Sequence, residues 1–256
     1  MSAHGFSTFG VIGFGHFGEF LARSFAEHGE VLVTDVDTGR LPAANGRIRP
    51  APLGEVARAD VVVLAVPFDA LEGVLEQIRD ELPPTTVVMD VVSSKARPTA
   101  LLRTVLEGHP NVLATHPLFG PPSMERIEPG LRIIVTHTEG ARAKELRDFL
   151  ETGFGLQVIE LSPDVHDHAM AYMQAIPFFI ARAIADLDIP GQLPDPAYLD
   201  ALAIPSFEKL WRIVDIEQHH SPGMFETSQQ SNPYADEARR RFLKVIEQLQ
   251  DDLSRE

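Results

Sequence analysis

The sequence predicts an α/β fold: a doubly wound, mostly parallel sheet followed by an all-helical C-terminal domain. Short β-rich apolar runs alternate with amphipathic segments through roughly the first 160 residues, the pattern of a parallel sheet covered on both faces. Strand-like runs then stop at Ser162-Pro163-Asp164. The residues beyond that break have helical period only.

Taken in order, the apolar runs occupy residues 9–12, 31–34, 61–66, 87–92, 112–115, 133–136 and 156–161. Residues 17–27, 70–79, 100–107 and 141–151 lie between several of them and read as crossover helices. Beyond the break, residues 168–186, 205–218 and 233–253 read as helices, with Ser, Asp or Pro at their starts. The Pro/Gly-rich residues 188–196 read as a loop between helices. The predicted division is therefore a sheet domain over 1–161 and a helical domain over 162–256. Phe242, Val245, Ile246 and Leu249 form an apolar stripe on the last helix. A helical domain this small often completes its core with a second copy, so a homodimer built mostly from residues after Ser162 is expected.

Bulk composition narrows the function. The 256 residues are 44% hydrophobic and 23% charged, enough for a full core. The net charge of −15 argues against nucleic acid or an anionic membrane as partner, since both need a dense basic face. The absence of cysteine excludes disulfides, thiolate catalysis and cysteine-bound metal. Residues 1–7 lack the basic-then-apolar pattern of a secretory signal, and no apolar run is long enough for a bilayer, so a cytoplasmic protein is expected.

Three strand ends carry the chemistry. The first is Gly13-Phe14-Gly15-His16-Phe17-Gly18, directly after a strand and before a helix, with the next strand ending at Asp35. In that context it is a Rossmann dinucleotide-binding turn. Gly13 permits the turn, Gly15 lets a pyrophosphate approach the backbone, and Gly18 allows close helix–sheet packing. The helix N-terminus offers free N–H groups to the phosphates. Asp35 stands where the ribose-binding acid belongs, which favours NAD over NADP, although nearby Arg40 could hold a 2′-phosphate. Val66 and Pro67, at the end of the third run, complete the expected cofactor-side set.

The second strand end is Asp90-Val91-Val92-Ser93-Ser94-Lys95. Ligands bind beyond the carboxyl ends of strands in open parallel sheets, so Ser93 and Ser94 can face the nicotinamide. The plainer alternative is a helix-capping serine followed by a solvated lysine. The third is Thr115-His116-Pro117-Leu118-Phe119-Gly120-Pro121-Pro122. A histidine closing this strand is suited to accept a hydroxyl proton as hydride leaves, and the prolines fix its loop.

GFGHFGEFLA, DVVSSK and THPLFGP, in this order and spacing, resemble the prephenate/arogenate dehydrogenase family of tyrosine biosynthesis. His166-Asp167 with Gln174, and Ser206-Phe207 through Ser231-Asn232-Pro233-Tyr234-Ala235, look like that family's helical domain. The resemblance implies NAD-dependent oxidative decarboxylation of a cyclohexadienol, prephenate or arogenate, to 4-hydroxyphenylpyruvate or tyrosine. It further implies His116 as general base, Ser93 orienting His116 and the substrate hydroxyl, and Ser94 and Gln174 on the substrate. No metal is implied; His166, His168, His219 and His220 lack a companion ligand set and read as solvated or capping residues. Two positions depart from the family. Phe178 stands where many relatives carry histidine, which opens the door to an amino-substituted prephenate. The cation for a substrate carboxylate is Arg212 by pattern, with Lys209 and then Arg182 as fallbacks. Rival readings are a β-hydroxyacid or imine-type dehydrogenase, and a non-catalytic NAD-sensing regulator; neither explains THPLFGP.

Overall fold

The computed structural model describes residues 5–44, 46–121, 126–219 and 223–255. Eight strands form one sheet: β1 (Thr8–Ile12), β2 (Glu30–Thr34), β3 (Ile48–Pro50), β4 (Val61–Leu64), β5 (Val87–Asp90), β6 (Val112–Pro117), β7 (Arg132–Glu139) and β8 (Gln157–Glu160). Their order is β3-β2-β1-β4-β5-β6-β7-β8, with every pairing parallel except β6–β7. All seven predicted runs are strands. The added one, β3, is three residues at the sheet edge ending in proline, too short to register as a run.

Alternate residues of the central strands serve opposite faces, which is why those strands read as unbroken apolar runs. All four β4 residues are buried. Val61 and Val63 join Phe9, Phe25, Phe149 and Leu146 on the side of α1 (His16–Phe25) and α5 (Ala141–Thr152). Val62 and Leu64 join Leu71, Leu75, Ile78 and Leu102 on the other side. That side is covered by α2 (Leu53–Val56), α3 (Phe68–Ile78) and α4 (Ala96–Val105).

The chain divides into two compact units, residues 1–166 and 167–256. The second carries helices and no strand among its described residues. The helix α6 (Pro163–Met170) crosses the division and runs through a π-helical turn, Ala171–Ala175, into α7 (Ile176–Asp186). Short helices α8 (Ile189–Gln192) and α9 (Tyr198–Ala201) come after it, the first inside the expected loop. Next are α10 (Pro205–Gln218), α11 (Met224–Glu226) with a second π-helical turn, Thr227–Ser231, and α12 (Ala235–Leu253). No helix among the described residues is long and apolar enough to cross a membrane.

Candidate active site

The glycine turn has the shape its sequence requires. Gly13 lies at φ +94°, and a Cβ there would stand 2.4 Å from the Ala65 carbonyl oxygen and 3.0 Å from Val66 Cγ1. A Cβ on Gly18 would meet the Gly13 carbonyl oxygen at 1.9 Å, so helix α1 can approach the turn only with glycine there. Gly15 is different: the nearest atom to an added Cβ is Arg40 Nη1, 3.8 Å away. Space is thus kept open over the start of α1, whose N-cap makes no side-chain hydrogen bond. Free N–H groups facing open space suit a pyrophosphate.

Around this cradle His16 is exposed, while Phe17 is half-buried and stacks on Phe20 with ring centroids 5.8 Å apart. Phe14 is buried, and its backbone N–H donates to Asp35 Oδ2 at 2.6 Å; Asp35 Oδ1 accepts from Asp37 N–H at 2.8 Å. Asp35, expected from the sequence to bind a ribose, therefore braces the turn. Arg40 pairs with Asp37 at 3.2 Å. Val66 is half-buried against the turn and Pro67 is the N-cap of α3.

At the ends of β5 and β6 the structure corrects the solvated-lysine reading. Lys95 is fully buried, its Nζ donating to Asp90 Oδ2 and to the Thr115 carbonyl, each at 2.5 Å. Asp90 also accepts from Val92 N–H at 3.0 Å and from Thr115 N–H at 3.3 Å, while Thr115 Oγ1 donates to the Asp90 carbonyl at 2.7 Å. Three of these hydrogen bonds cross between the two strand ends, and the ion pair fixes the β5 side of that stitch, immediately beside Ser93 and His116. Sequence reasoning overlooked this clamp; the signal available was an acid and a lysine flanking the serines.

His116 is buried and its ladder partner on antiparallel β7 is Ile134. The register slips just before it: Thr115 pairs with Val135 and Ala114 with His137, leaving Thr136 as an extra residue. Thr136 Oγ1 lies 3.2 Å from Thr99 Oγ1 on α4, so the bulge is pinned, and bulges of this kind re-aim neighbouring side chains. Burial first, then the electrostatic influence of His166 and of the Lys95 ammonium, hold the imidazole pKa well below its ordinary 6.5. The ring is neutral at neutral pH.

The hydrogen-bond partner of His116 is a second correction. Ser93 is the residue expected to orient it, but the buried hydroxyls of Ser93 and Ser94 make no hydrogen bond. His116 Nδ1 instead lies 2.9 Å from His166 Nε2, the rings 75° apart. His166, expected to be solvated or capping, is fully buried.

In the helical unit, Gln174 sits half-buried on the first π-helical turn, and the carbonyl of Ala175 beside it accepts from Gln229 Nε2 at 2.8 Å. Lys209 and Arg212 are exposed on α10. Arg212 and the Phe207–Trp211 stack line a cavity of about 300 Å³ together with Asp200, Glu208 and Asp215. Arg182 is spoken for: Glu217 takes it at 2.6 Å, and its guanidinium lies 4.4 Å from the Phe225 ring centroid. His168 packs against Tyr234, ring centroids 4.9 Å apart, and His219 against Asp215 at the end of α10. His220 and Pro122 lie outside the described residues.

Residues 21–150 match the family described as "Prephenate dehydrogenase, nucleotide-binding domain" and residues 162–256 "Prephenate dehydrogenase, dimerization domain". The chain is 30% identical to a 4-amino-4-deoxyprephenate dehydrogenase of Streptomyces pristinaespiralis, covering 96% of this chain and 85% of that one. It is 31% identical to chloroplastic arogenate dehydrogenase 2 of Arabidopsis thaliana over 68% of this chain, and spans about half (52%) of that relative's length. The fold matches a prephenate dehydrogenase from A. aeolicus crystallised with hydroxyphenyl propionate and NAD+, at TM-score 0.75 and 19% identity, over 97% of this chain and 91% of that one. The chain belongs to the prephenate dehydrogenase family.

Proposed function

We propose that the protein is an NAD-dependent dehydrogenase that oxidatively decarboxylates a cyclohexadienol of the prephenate/arogenate type. The observation that carries this reading is the buried, neutral His116 on a strand end stitched to the one that presents two unpartnered serine hydroxyls. The open space over Gly15 and the brace from Asp35 fit NAD, which when bound supplies the hydride acceptor.

His116 accepts the substrate hydroxyl proton as hydride leaves the carbon bearing it. The ring carboxylate departs as carbon dioxide, its bond pair enters the ring, and His116 returns the proton to the phenolate oxygen. Aromatisation makes the sequence effectively irreversible. Ser93 and Ser94 gain a hydrogen-bond partner only when a ligand arrives, so their desolvation favours a polar guest. Arg212 is the preferred cation for a substrate carboxylate, with Lys209 second, because Glu217 already neutralises Arg182. Gln174 serves the same end of the substrate.

One observation favours a second substrate, 4-amino-4-deoxyprephenate: the Streptomyces relative matches nearly the whole of both chains. The protein acts as a homodimer. Val245, Ile246 and Leu249 on α12 are 51%, 46% and 55% exposed, an apolar stripe left without cover on a domain that matches a dimerization domain.

The test is NADH formation by the purified protein with prephenate, arogenate and the 4-amino analogue side by side, in wild type and His116→Asn. The variant should keep NAD affinity and lose about 10²–10⁴-fold in rate, the usual worth of a general base. Near-normal turnover by His116→Asn ends the assignment of the base; silence with all three substrates ends the assignment of the reaction.

A further inference from the structure

His116 and His166 are both buried, and a distance of 2.9 Å between Nδ1 and Nε2 admits one proton between them. Two arrangements satisfy that bond. If His166 donates, neutral His116 carries its own proton on Nε2 and has no lone pair to offer a substrate. If His116 donates from Nδ1, its Nε2 lone pair is free and the ring can act as a base.

We propose that His166 is a positioning residue that holds His116 in the Nδ1–H tautomer by accepting that proton, so that Nε2 of His116 is the atom that takes the substrate proton. The proposal rests on the reading of His116 as the base. It assigns to a histidine on α6 the orienting role that in hydrolase triads falls to a carboxylate. A neutral acceptor serves differently from a carboxylate. It fixes ring and tautomer without stabilising the imidazolium through charge, so the base keeps a low pKa and gives its proton back readily to the product oxygen.

The surroundings fit that use. Among the described residues, the titratable and charged groups facing His116 are His166 from α6, and Lys95 with its counter-ion Asp90 from the β5 end. Across the ladder β7 contributes Ile134. Lys95 is held by Asp90 and the Thr115 carbonyl, so it supplies positive potential without competing for Nδ1. Among the described residues, the group that lies within hydrogen-bond reach of Nδ1 is His166, while Ser93 and Ser94 make no hydrogen bond.

Two variants separate positioning from packing. In His166→Gln the amide oxygen can still accept from Nδ1 but the side chain can never be charged. His166→Leu fills the space and accepts nothing. We expect His166→Gln to retain kcat within about tenfold, because the amide oxygen still accepts from Nδ1 and holds the same tautomer. We expect His166→Leu to lose on the order of 10²-fold in kcat, the low end of a general base's worth, with KM for NAD unchanged. Imidazole ¹⁵N shifts on the ligand-free protein should report Nδ1–H for His116 in wild type and in His166→Gln. Nε2–H for wild-type His116 overturns the proposal. So do equal losses in both variants, or full activity in His166→Leu. Because the NMR readout needs no substrate, it stands or falls separately from the assigned reaction.

Discussion

Lys95→Met tests the clamp beneath the site. Methionine matches the length of the lysine stem but brings no charge to a position with no solvent exposure. The Asp90 carboxylate, equally buried, keeps the Val92 and Thr115 N–H donors and loses the ammonium that neutralises it; the Thr115 carbonyl loses a donor as well. Removing one partner of a buried ion pair costs about 3–5 kcal/mol, because the remaining charge is stranded rather than because the pair itself was worth that much. At about 2–4 °C per kcal/mol for a unit of this size, the melting temperature should fall by roughly 6–20 °C.

The double variant Asp90→Asn/Lys95→Met separates stranding from packing. It removes both charges, leaves an amide oxygen for the backbone donors, and should recover most of the loss. Thermal unfolding followed by circular dichroism and by calorimetry measures both variants, and the acid limb of activity should rise in each as His116 loses a positive neighbour. A drop of under about 1 kcal/mol in Lys95→Met, or a double variant no better than the single, refutes the reasoning.

The same geometry sets three further outcomes. Asp35→Ser should narrow the preference for NAD over NADP, a like-charge repulsion of about 1 kcal/mol or more. It should also weaken NAD itself, because the Phe14 N–H loses its acceptor; titration of both cofactors decides, and an unmodified enzyme that turns over NADP equally well contradicts the claim. Because the folded-state pKa of His116 lies below 6.5, the ring is neutral in both states above that pH, and below it the unfolded chain takes the proton first. Stability is then lost as pH falls from 6.5 toward the folded pKa, by up to about 1.4 kcal/mol per unit, and His116→Gln should flatten that slope in denaturant titrations. Leu249→Glu with Val245→Glu should convert a dimer to a monomer by light scattering; an unmodified protein of monomer mass at micromolar concentration with full activity removes the dimer.

The sheet was legible because burial on both faces leaves a plain mark: an unbroken run of valines and leucine at β4 can hardly be read otherwise. The turn at Gly13–Gly18 was legible because sterics leave no other residue at two of its positions. The edge strand β3 carries no such mark, and the π-helical turn at Ala171–Ala175 is hidden because one extra residue in a turn barely disturbs an apolar helical period. The partner of His116 was beyond reach for a different reason. His166 was visible as a residue, but a contact across 50 positions depends on where α6 starts after β8, which no local pattern states.

The buried polar features that escaped local reasoning, unlike β3 and the π-helical turn, gather in one place. A lysine with no solvent exposure, two buried hydroxyls without partners, a histidine pair and a ladder that slips a residue all fall at the ends of β5 and β6 or directly against them. Each costs stability taken alone: stranded polar groups by about 1–3 kcal/mol, a buried ion by more. A fold stabilised by two large apolar faces can carry that load at one place, and evolution keeps such a load where ligand binding or chemistry repays it. Glu217 and Arg182 give the contrast within the helical unit, since that half-buried pair satisfies itself and leaves nothing for a guest. At the strand ends the cation is satisfied, the His116 imidazole is held neutral, and the serine hydroxyls have no partner. That combination, satisfied charges beneath unsatisfied neutral donors, is what a site for an oxygen-rich, proton-releasing substrate requires.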